Sequence, residues 1–126
     1  MKYKIAVAST DGKVVNQHFG RAEVFYIVEA DSGGMTFTYE ESRETVPVCR
    51  GQEHDESQLK AVAAMLEDCD YILVSRIGAG ARAALGQNNI EAFELPGLIE
   101  DSIRKLFDYF EVQNLLEDLY DNYSEN

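Results

Sequence analysis

Residues 71–94, YILVSRIGAGARAALGQNNIEAFE, decide the fold because they encode a strand, a helix and a second strand in direct succession. The apolar run over 71–74 is typical of a strand covered on both faces, as in a parallel sheet flanked by helices. A glycine-containing turn at 78–80 opens an alanine-rich helix, and a turn at 88–89 leads into a strand over 90–94. The stretch therefore predicts a β-α-β unit.

The first third of the chain adds three predicted strands, over residues 4–9, 24–29 and 35–39, which are rich in β-branched and aromatic residues. Asp31-Ser32-Gly33-Gly34 predicts an antiparallel hairpin between the second and third of them. Residues 42–55 have no sustained periodicity and are predicted to be a loop. The chain is thus expected to be an α/β protein with three layers (α/β/α) around a mixed five-stranded sheet.

Two further helices complete the prediction. Asp55 and Gln58 resemble a capping box ahead of a helix that runs to about Glu67. A final helix begins at Pro96-Gly97, and its apolar stripe should face the sheet. This stripe consists of Ile99, Ile103, Leu106 and Phe110.

The C-terminal end is strongly acidic: residues 97–126 contain two basic and eight acidic residues. We expect a domain over residues 1–110 and an acidic extension of the last helix, or a tail, over 111–126. The apolar residues of the extension are expected to pack as another helical face, and docking of a partner is the alternative. These residues are Leu115, Leu116, Leu119, Tyr120 and Tyr123.

Composition excludes several classes of protein. The 126 residues are 45% hydrophobic and 27% charged, which is typical of a globular domain, and the net charge of −12 repels nucleic acids and anionic membranes. Apolar runs are too short for a signal peptide core or a membrane-spanning helix, and two cysteines in a chain of this length require no disulfide scaffold. We expect a cytoplasmic protein without nucleic-acid or membrane partners.

The segment Asn16-Gln17-His18-Phe19-Gly20-Arg21-Ala22 is the strongest candidate for function. Histidine is a common metal ligand, Gly20 allows close approach of a ligand to the backbone, and Arg21 can pair with an anion. The alternative is a turn in which His18 bonds the backbone and Phe19 lies in the core.

The chain resembles the dinitrogenase iron-molybdenum cofactor biosynthesis family over roughly residues 3–110. The resemblance rests on residues 5–9, Asp11-Gly12, the Gln17–Ala22 step, Phe25, Gly51, Glu53-His54-Asp55, Ser75, residues 77–81, Leu85 and Ile90. It implies a ribonuclease H-like topology and a nitrogenase-associated, stand-alone cofactor carrier. It also implies that His18 holds the iron-molybdenum cofactor or its iron-sulfur precursor.

Other residues could help His18 to hold a metal cluster. Cys49 and His54 are candidate metal ligands, although Cys49 could equally be an incidental loop thiol. Cys69, between a helix and a buried strand, is expected in the core. An anionic cluster also needs positive charge, for which Arg21, Arg76 and Arg82 are candidates, with ion pairs to carboxylates as the alternative.

The residues Gly78-Ala79-Gly80-Ala81-Arg82-Ala83 fit the pattern G-x-G-x-x-A. A nucleotide phosphate could bind at the start of such a helix, but a tight strand-to-helix turn is the expected explanation. The same turn could line a cluster site. The predicted cofactor-binding residues are therefore His18, Phe19, Gly20, Arg21, Gly78 and Gly80.

Catalysis is not expected, because the first strand carries no carboxylates for a two-metal site and no nucleophile elbow is present. The sequence predicts a non-enzymatic carrier whose cargo is an iron-sulfur cluster or the iron-molybdenum cofactor. Its expected partners are cluster donor and acceptor proteins, and it should be a monomer or a weak homodimer. The alternatives are a small anion or nucleotide-binding regulatory module and a protein-interaction domain without a cluster.

Overall fold

A mixed sheet is the centre of the fold in the computed structural model. The structure describes residues 1–45, 49–50, 53–54 and 56–124. For residues 49–50, 53–54 and 123–124 it describes the backbone alone. The strands are β1 (Lys2–Ala8), β2 (Val14–Val15), β3 (Val24–Asp31), β4 (Thr36–Glu44), β5 (Cys49–Arg50), β6 (Glu53–His54), β7 (Tyr71–Val74), β8 (Glu91–Glu94) and β9 (Gly97–Leu98). The helices are α1 (Glu56–Met65), α2 (Ala79–Gln87) and α3 (Ile99–Ser124), and a 3-10 turn spans Phe19–Arg21.

The main sheet has five strands in the order β4-β3-β1-β7-β8. Strand β3 is antiparallel to both of its neighbours, with Ile5 of β1 opposite Val28. The pairs β1 with β7 and β7 with β8 are parallel, and Ile5 also aligns with Tyr71. These pairings confirm the mixed five-stranded sheet, the hairpin and the β-α-β unit.

Helices cover both faces of this sheet. Side chains alternate between the faces along each strand, so the apolar residues of the central strands point to both faces. On one face, α1 and α2 pack over residues such as Ala6 and Ile72. On the other face, α3 packs over residues such as Val7 and Leu73. All four of these strand residues are fully buried, so the central strands are covered on both sides as predicted.

The structure corrects several predicted boundaries. Strand β4 continues to Glu44 because its pairing with β3 extends to Val24, and β5 pairs with β6, so much of the predicted 42–55 loop is strand. Asp55 of the predicted capping box lies outside the described residues. The last helix begins at Ile99 rather than at Pro96-Gly97, because Gly97 and Leu98 pair with β2.

The C-terminal prediction was half right. The stripe that faces the sheet is confirmed, since Ile99, Ile103 and Leu106 are buried. The expected packing of the extension is wrong for Leu115, Leu116, Leu119 and Tyr120, which are 58–74% exposed because α3 runs on past the residues it packs against. The Tyr123 side chain lies outside the described structure. Within the described part of the chain, no helix is both long enough and apolar enough to cross a bilayer.

Candidate functional site

The candidate site lies where the parallel strands β1 and β7 end side by side. The segment after β1 leads towards β3, whereas the segment after β7 leads into α2 on the other side. In open α/β sheets, ligands bind at the carboxyl ends of the strands where the connections diverge in this way. The predicted residues 18–21 and 78–80 belong to these two segments.

The backbone on both sides of His18 is fixed by hydrogen bonds between the two segments. The Ser75 N–H donates to the Gln17 carbonyl oxygen (3.0 Å), and the Phe19 N–H donates to the Arg76 carbonyl oxygen (2.9 Å). His18 and Arg76 thereby form an isolated parallel β-bridge. These two bonds continue the parallel pairing just beyond the end of β7. They fix the backbone of the His18 segment, although this segment is not a strand of the sheet.

The His18 side chain itself remains exposed to solvent. The residue has an extended backbone (φ −69°, ψ 142°), and its imidazole makes no hydrogen bond within the described part of the chain. The predicted alternative of an imidazole bonded to backbone is therefore not observed among those residues. Among the described residues, both ring nitrogens are therefore without a partner.

Phe19 anchors this exposed histidine. Its side chain is 1% exposed and its ring centroid lies 6.0 Å from that of Phe25. This confirms the core position that was predicted as the alternative. Phe19 therefore holds the neighbouring backbone in place from within the core and does not present its ring to solvent. The Arg21 N–H donates to the His18 carbonyl oxygen (3.0 Å) and closes the turn in which Gly20 lies.

The three candidate arginines differ in their partners. Arg82 lies 3.5 Å from Glu94 and donates to the Ala92 carbonyl oxygen (2.7 Å), as the ion-pair alternative predicted. Arg21 and Arg76 are exposed, and neither pairs with a carboxylate of the described residues. Of the three candidate arginines, Arg21 and Arg76 are therefore the two that have no carboxylate partner among the described residues.

The start of α2 is open. Gly78 precedes the helix without a side-chain cap, and the first turn has no acidic residue. A Cβ atom added to Gly78 or Gly80 would meet nothing within 4 Å. The amide groups of a helix start favour anions. Just before this start, the Ile77 N–H already donates to the Glu94 carboxylate (3.1 Å).

Ser75, at the end of β7, was not predicted to be a site residue from its own chemistry. Its Oγ atom is buried and has no hydrogen-bond partner in the described structure. At the end of β1, by contrast, Ser9 Oγ accepts hydrogen bonds from the N–H groups of Asp11 and Gly12. The sequence signals for Ser75 were its place directly after a continuous apolar strand and its match to the family resemblance.

Cys49 and His54 lie together on a strand pair, whereas Cys69 lies in the core. Strands β5 and β6 place Cys49 directly opposite His54 in the backbone register, and β5 runs next to the 3-10 turn. Their side chains lie outside the described structure, so the ligand set His18, Cys49 and His54 stays a prediction. Among the described residues, no three histidine, cysteine or carboxylate side chains are arranged to hold a metal ion.

Cys69 is a core residue, as predicted. Its side chain is 4% exposed, and burial raises the pKa of its thiol to about 12. The thiolate is the form that binds metals, so this cysteine is unsuited to ligation in the folded protein.

Comparison with known proteins gives a consistent result. The family model described as "Dinitrogenase iron-molybdenum cofactor" matches residues 1–109. The FeMo cofactor biosynthesis protein NifB of Frankia alni is 37% identical over 105 residues, which are 81% of this chain but 20% of that protein. The chain therefore spans about a fifth of the length of this relative.

Solved structures show the same fold at low identity. The crystal structure of PH0822 has a TM-score of 0.59 at 21% identity, over 83% of this chain and 90% of that one. The apo form of the orange protein from Desulfovibrio gigas has a TM-score of 0.54, also at 21% identity, over 84% of this chain and 88% of that one.

Proposed function

This chain belongs to the dinitrogenase iron-molybdenum cofactor family, and from that premise we propose that it carries an iron-sulfur or iron-molybdenum-type cluster during cofactor assembly. In this proposal the chain is not an enzyme: it receives the cluster from a donor protein, holds it through His18 and releases it to an acceptor. A cytoplasmic location, a monomeric or weakly dimeric state and a ribonuclease H-like topology belong to the same proposal.

One observation carries the proposal: the backbone of His18 is fixed, while its imidazole is exposed and makes no hydrogen bond to the described residues. A rigid backbone presents the ligand in one place, which lowers the entropy lost on binding. Proteins that keep an iron-sulfur cluster usually provide about four cysteine thiolates. A single imidazole with few helpers is better suited to a cluster that must be released.

The surroundings of His18 fit an anionic cargo. Arg76 is the bridge partner of His18, and Arg21 lies in the same turn, so both can approach a ligand bound at the imidazole. The start of α2 follows Arg76 within a few residues, and the amide groups of a helix start favour anions. In a protein of charge −12, these groups are what would attract an anion to this edge.

The test is an anaerobic titration of the full chain with a synthetic [4Fe–4S] cluster, with visible absorption and bound iron as the readouts. We expect stoichiometric binding by the wild type and a loss of about tenfold or more in affinity in His18→Ala. Gln17→Ala is the matched control, because it removes the neighbouring polar side chain and leaves the imidazole. Cys49→Ala and His54→Ala, measured alongside, report whether these two residues help.

Binding that is equal in wild type and His18→Ala would overturn the role of His18, provided that both variants melt at the wild-type temperature. Absence of binding in the wild type would overturn the carrier proposal as a whole.

A second candidate function is supported by the open start of α2, which could bind a small anion or nucleotide. This reading predicts that ATP raises the melting temperature in wild type and in His18→Ala alike, whereas Gly80→Ala removes the effect. A nucleotide effect that depends on His18 would contradict it.

A further inference from the structure

Helix α3 carries two apolar stripes on roughly opposite sides. The first, made of Ile99, Ile103 and Leu106, is buried against the sheet and ends at the partly buried Phe110. Helical spacing would continue this stripe through positions 113, 117 and 121. Those positions are Gln, Glu and Asp, so the side that faces the sheet turns polar beyond Phe110.

The second stripe begins where the first one ends. We call it the α3 stripe and define it as Val112, Leu115, Leu116, Leu119 and Tyr120, which are 54%, 58%, 60%, 65% and 74% exposed. Residues at i, i+3, i+4 and i+7 form one continuous face of a helix, and this pattern is typical of a seam that packs on a second helix. The domain's own core does not reach this face.

The charges alongside and beyond the α3 stripe are all negative, and the nearest basic residue on α3 is Lys105, about two turns before Val112. Residues 106–126 contain six acidic residues and no lysine or arginine. Helical geometry places Glu111 and Asp118 along one edge of the stripe and Glu117 along the other. An approaching partner would meet exposed carboxylates on both sides of the apolar seam.

This charge pattern selects among the possible occupants. A second copy of the chain would bring the same carboxylates and a further charge of −12, so its approach is opposed. A helix with apolar residues at the same spacing and Lys or Arg on its flanks matches both the seam and its edges. We propose that the α3 stripe is the docking surface for a basic amphipathic helix of a partner protein.

The experiment measures binding of the full chain to a designed helical peptide by fluorescence anisotropy. The probe is about 18 residues long, with leucines at i, i+3, i+4 and i+7 and lysines on both flanks. A second peptide has the same leucines but glutamates on the flanks. We expect the lysine peptide to bind, less tightly at high salt, and the glutamate peptide not to bind.

Two variants locate the site. Leu116→Ser with Leu119→Ser should weaken binding of the lysine peptide by about tenfold or more without a change in melting temperature, because both side chains are exposed. Glu117→Lys with Asp118→Lys leaves the apolar residues of the stripe unchanged. This variant should bind the glutamate peptide more tightly than the lysine peptide. The matched control is Glu67→Lys with Glu91→Lys, which makes the same charge change at exposed positions outside α3.

Three results would overturn the proposal. They are no binding of the lysine peptide, binding that is indifferent to the leucine variants, and sedimentation that shows the wild type self-associating through the same leucines. The last result would assign the stripe to a second copy of the chain.

Discussion

His18 and Arg76, which are far apart in the sequence, are neighbours in the structure: the two residues form an isolated β-bridge in which the Phe19 N–H donates to the Arg76 carbonyl oxygen (2.9 Å). The bridge ties the segment after β1 to the segment after β7. It therefore brings the candidate ligand, Arg21 and Arg76, and the start of α2 to one edge of the sheet.

Phe19→Ala should destabilise the protein by about 3–5 kcal/mol, because it leaves a cavity beside Phe25. Phe37→Ala is the control: this ring is 38% exposed on the edge strand β4, and its loss should cost roughly 1 kcal/mol or less. Urea denaturation with a constant m-value measures both. Equal losses in the two variants would show that Phe19 is not an anchor.

Gly80→Ala should leave stability unchanged or raise it by about 0.5 kcal/mol, since alanine favours the helix and its Cβ meets nothing within 4 Å. Gly12→Ala should cost about 1–2 kcal/mol, because Gly12 has φ +75° and a Cβ atom there would lie 3.0 Å from the Tyr26 ring. Thermal melts distinguish them. If Gly80 keeps room for the cargo, Gly80→Ala should also weaken cluster binding while the fold stays intact.

Ser75→Ala should be neutral or slightly stabilising, because the buried Ser75 Oγ has no partner among the described residues. Ser102→Ala should cost about 1–2 kcal/mol, since Ser102 is 1% exposed and its Oγ donates to the Leu95 carbonyl oxygen (2.6 Å). The comparison uses chemical denaturation of the two variants. A clear loss in Ser75→Ala would mean that its hydroxyl already has a partner.

Acid sensitivity should depend on Asp68. The Arg43 guanidinium donates two hydrogen bonds to this carboxylate (2.7 and 2.8 Å) and holds the pKa of Asp68 well below its usual range. A lowered pKa in the folded state stabilises the protein above the pKa of the unfolded chain, near 4, and this stabilisation is lost as the pH falls below it. Asp68→Asn should therefore lower stability at pH 7 and flatten the decline below about pH 5.

The loss at pH 7 should be roughly 1 kcal/mol, a value discounted for solvent because the Asp68 side chain is 43% exposed. Asp108→Asn serves as the control, since Asp108 is an exposed carboxylate on α3 without a hydrogen bond in the described structure. Melting temperatures from pH 7 to pH 3 provide the measurement. Parallel pH profiles for wild type and Asp68→Asn would contradict the prediction.

Local patterns were enough to predict the central elements. The run Tyr71–Val74 is a strand at the predicted residues, and Ile99, Ile103 and Leu106 face the core as expected. The strand follows from a continuous apolar run, which burial on both faces requires, and the helical stripe follows from apolar residues at helical spacing. The continuation of β4 to Glu44 and the short pair of β2 with β9 escaped prediction, because strand pairing and not the local pattern decided where these strands lie.

For the candidate site, the sequence by itself identified the His18 segment, the glycines before α2 and the acidic C-terminal stretch, since these depend on residue type. The tertiary structure decided which of these groups have partners. It showed that Arg82 pairs with Glu94, that Arg21 and Arg76 pair with no carboxylate of the described residues, and that the α3 stripe faces solvent. The physical reason is that a side chain's availability depends on the distant segments that the fold brings beside it, and these leave no pattern in the local sequence.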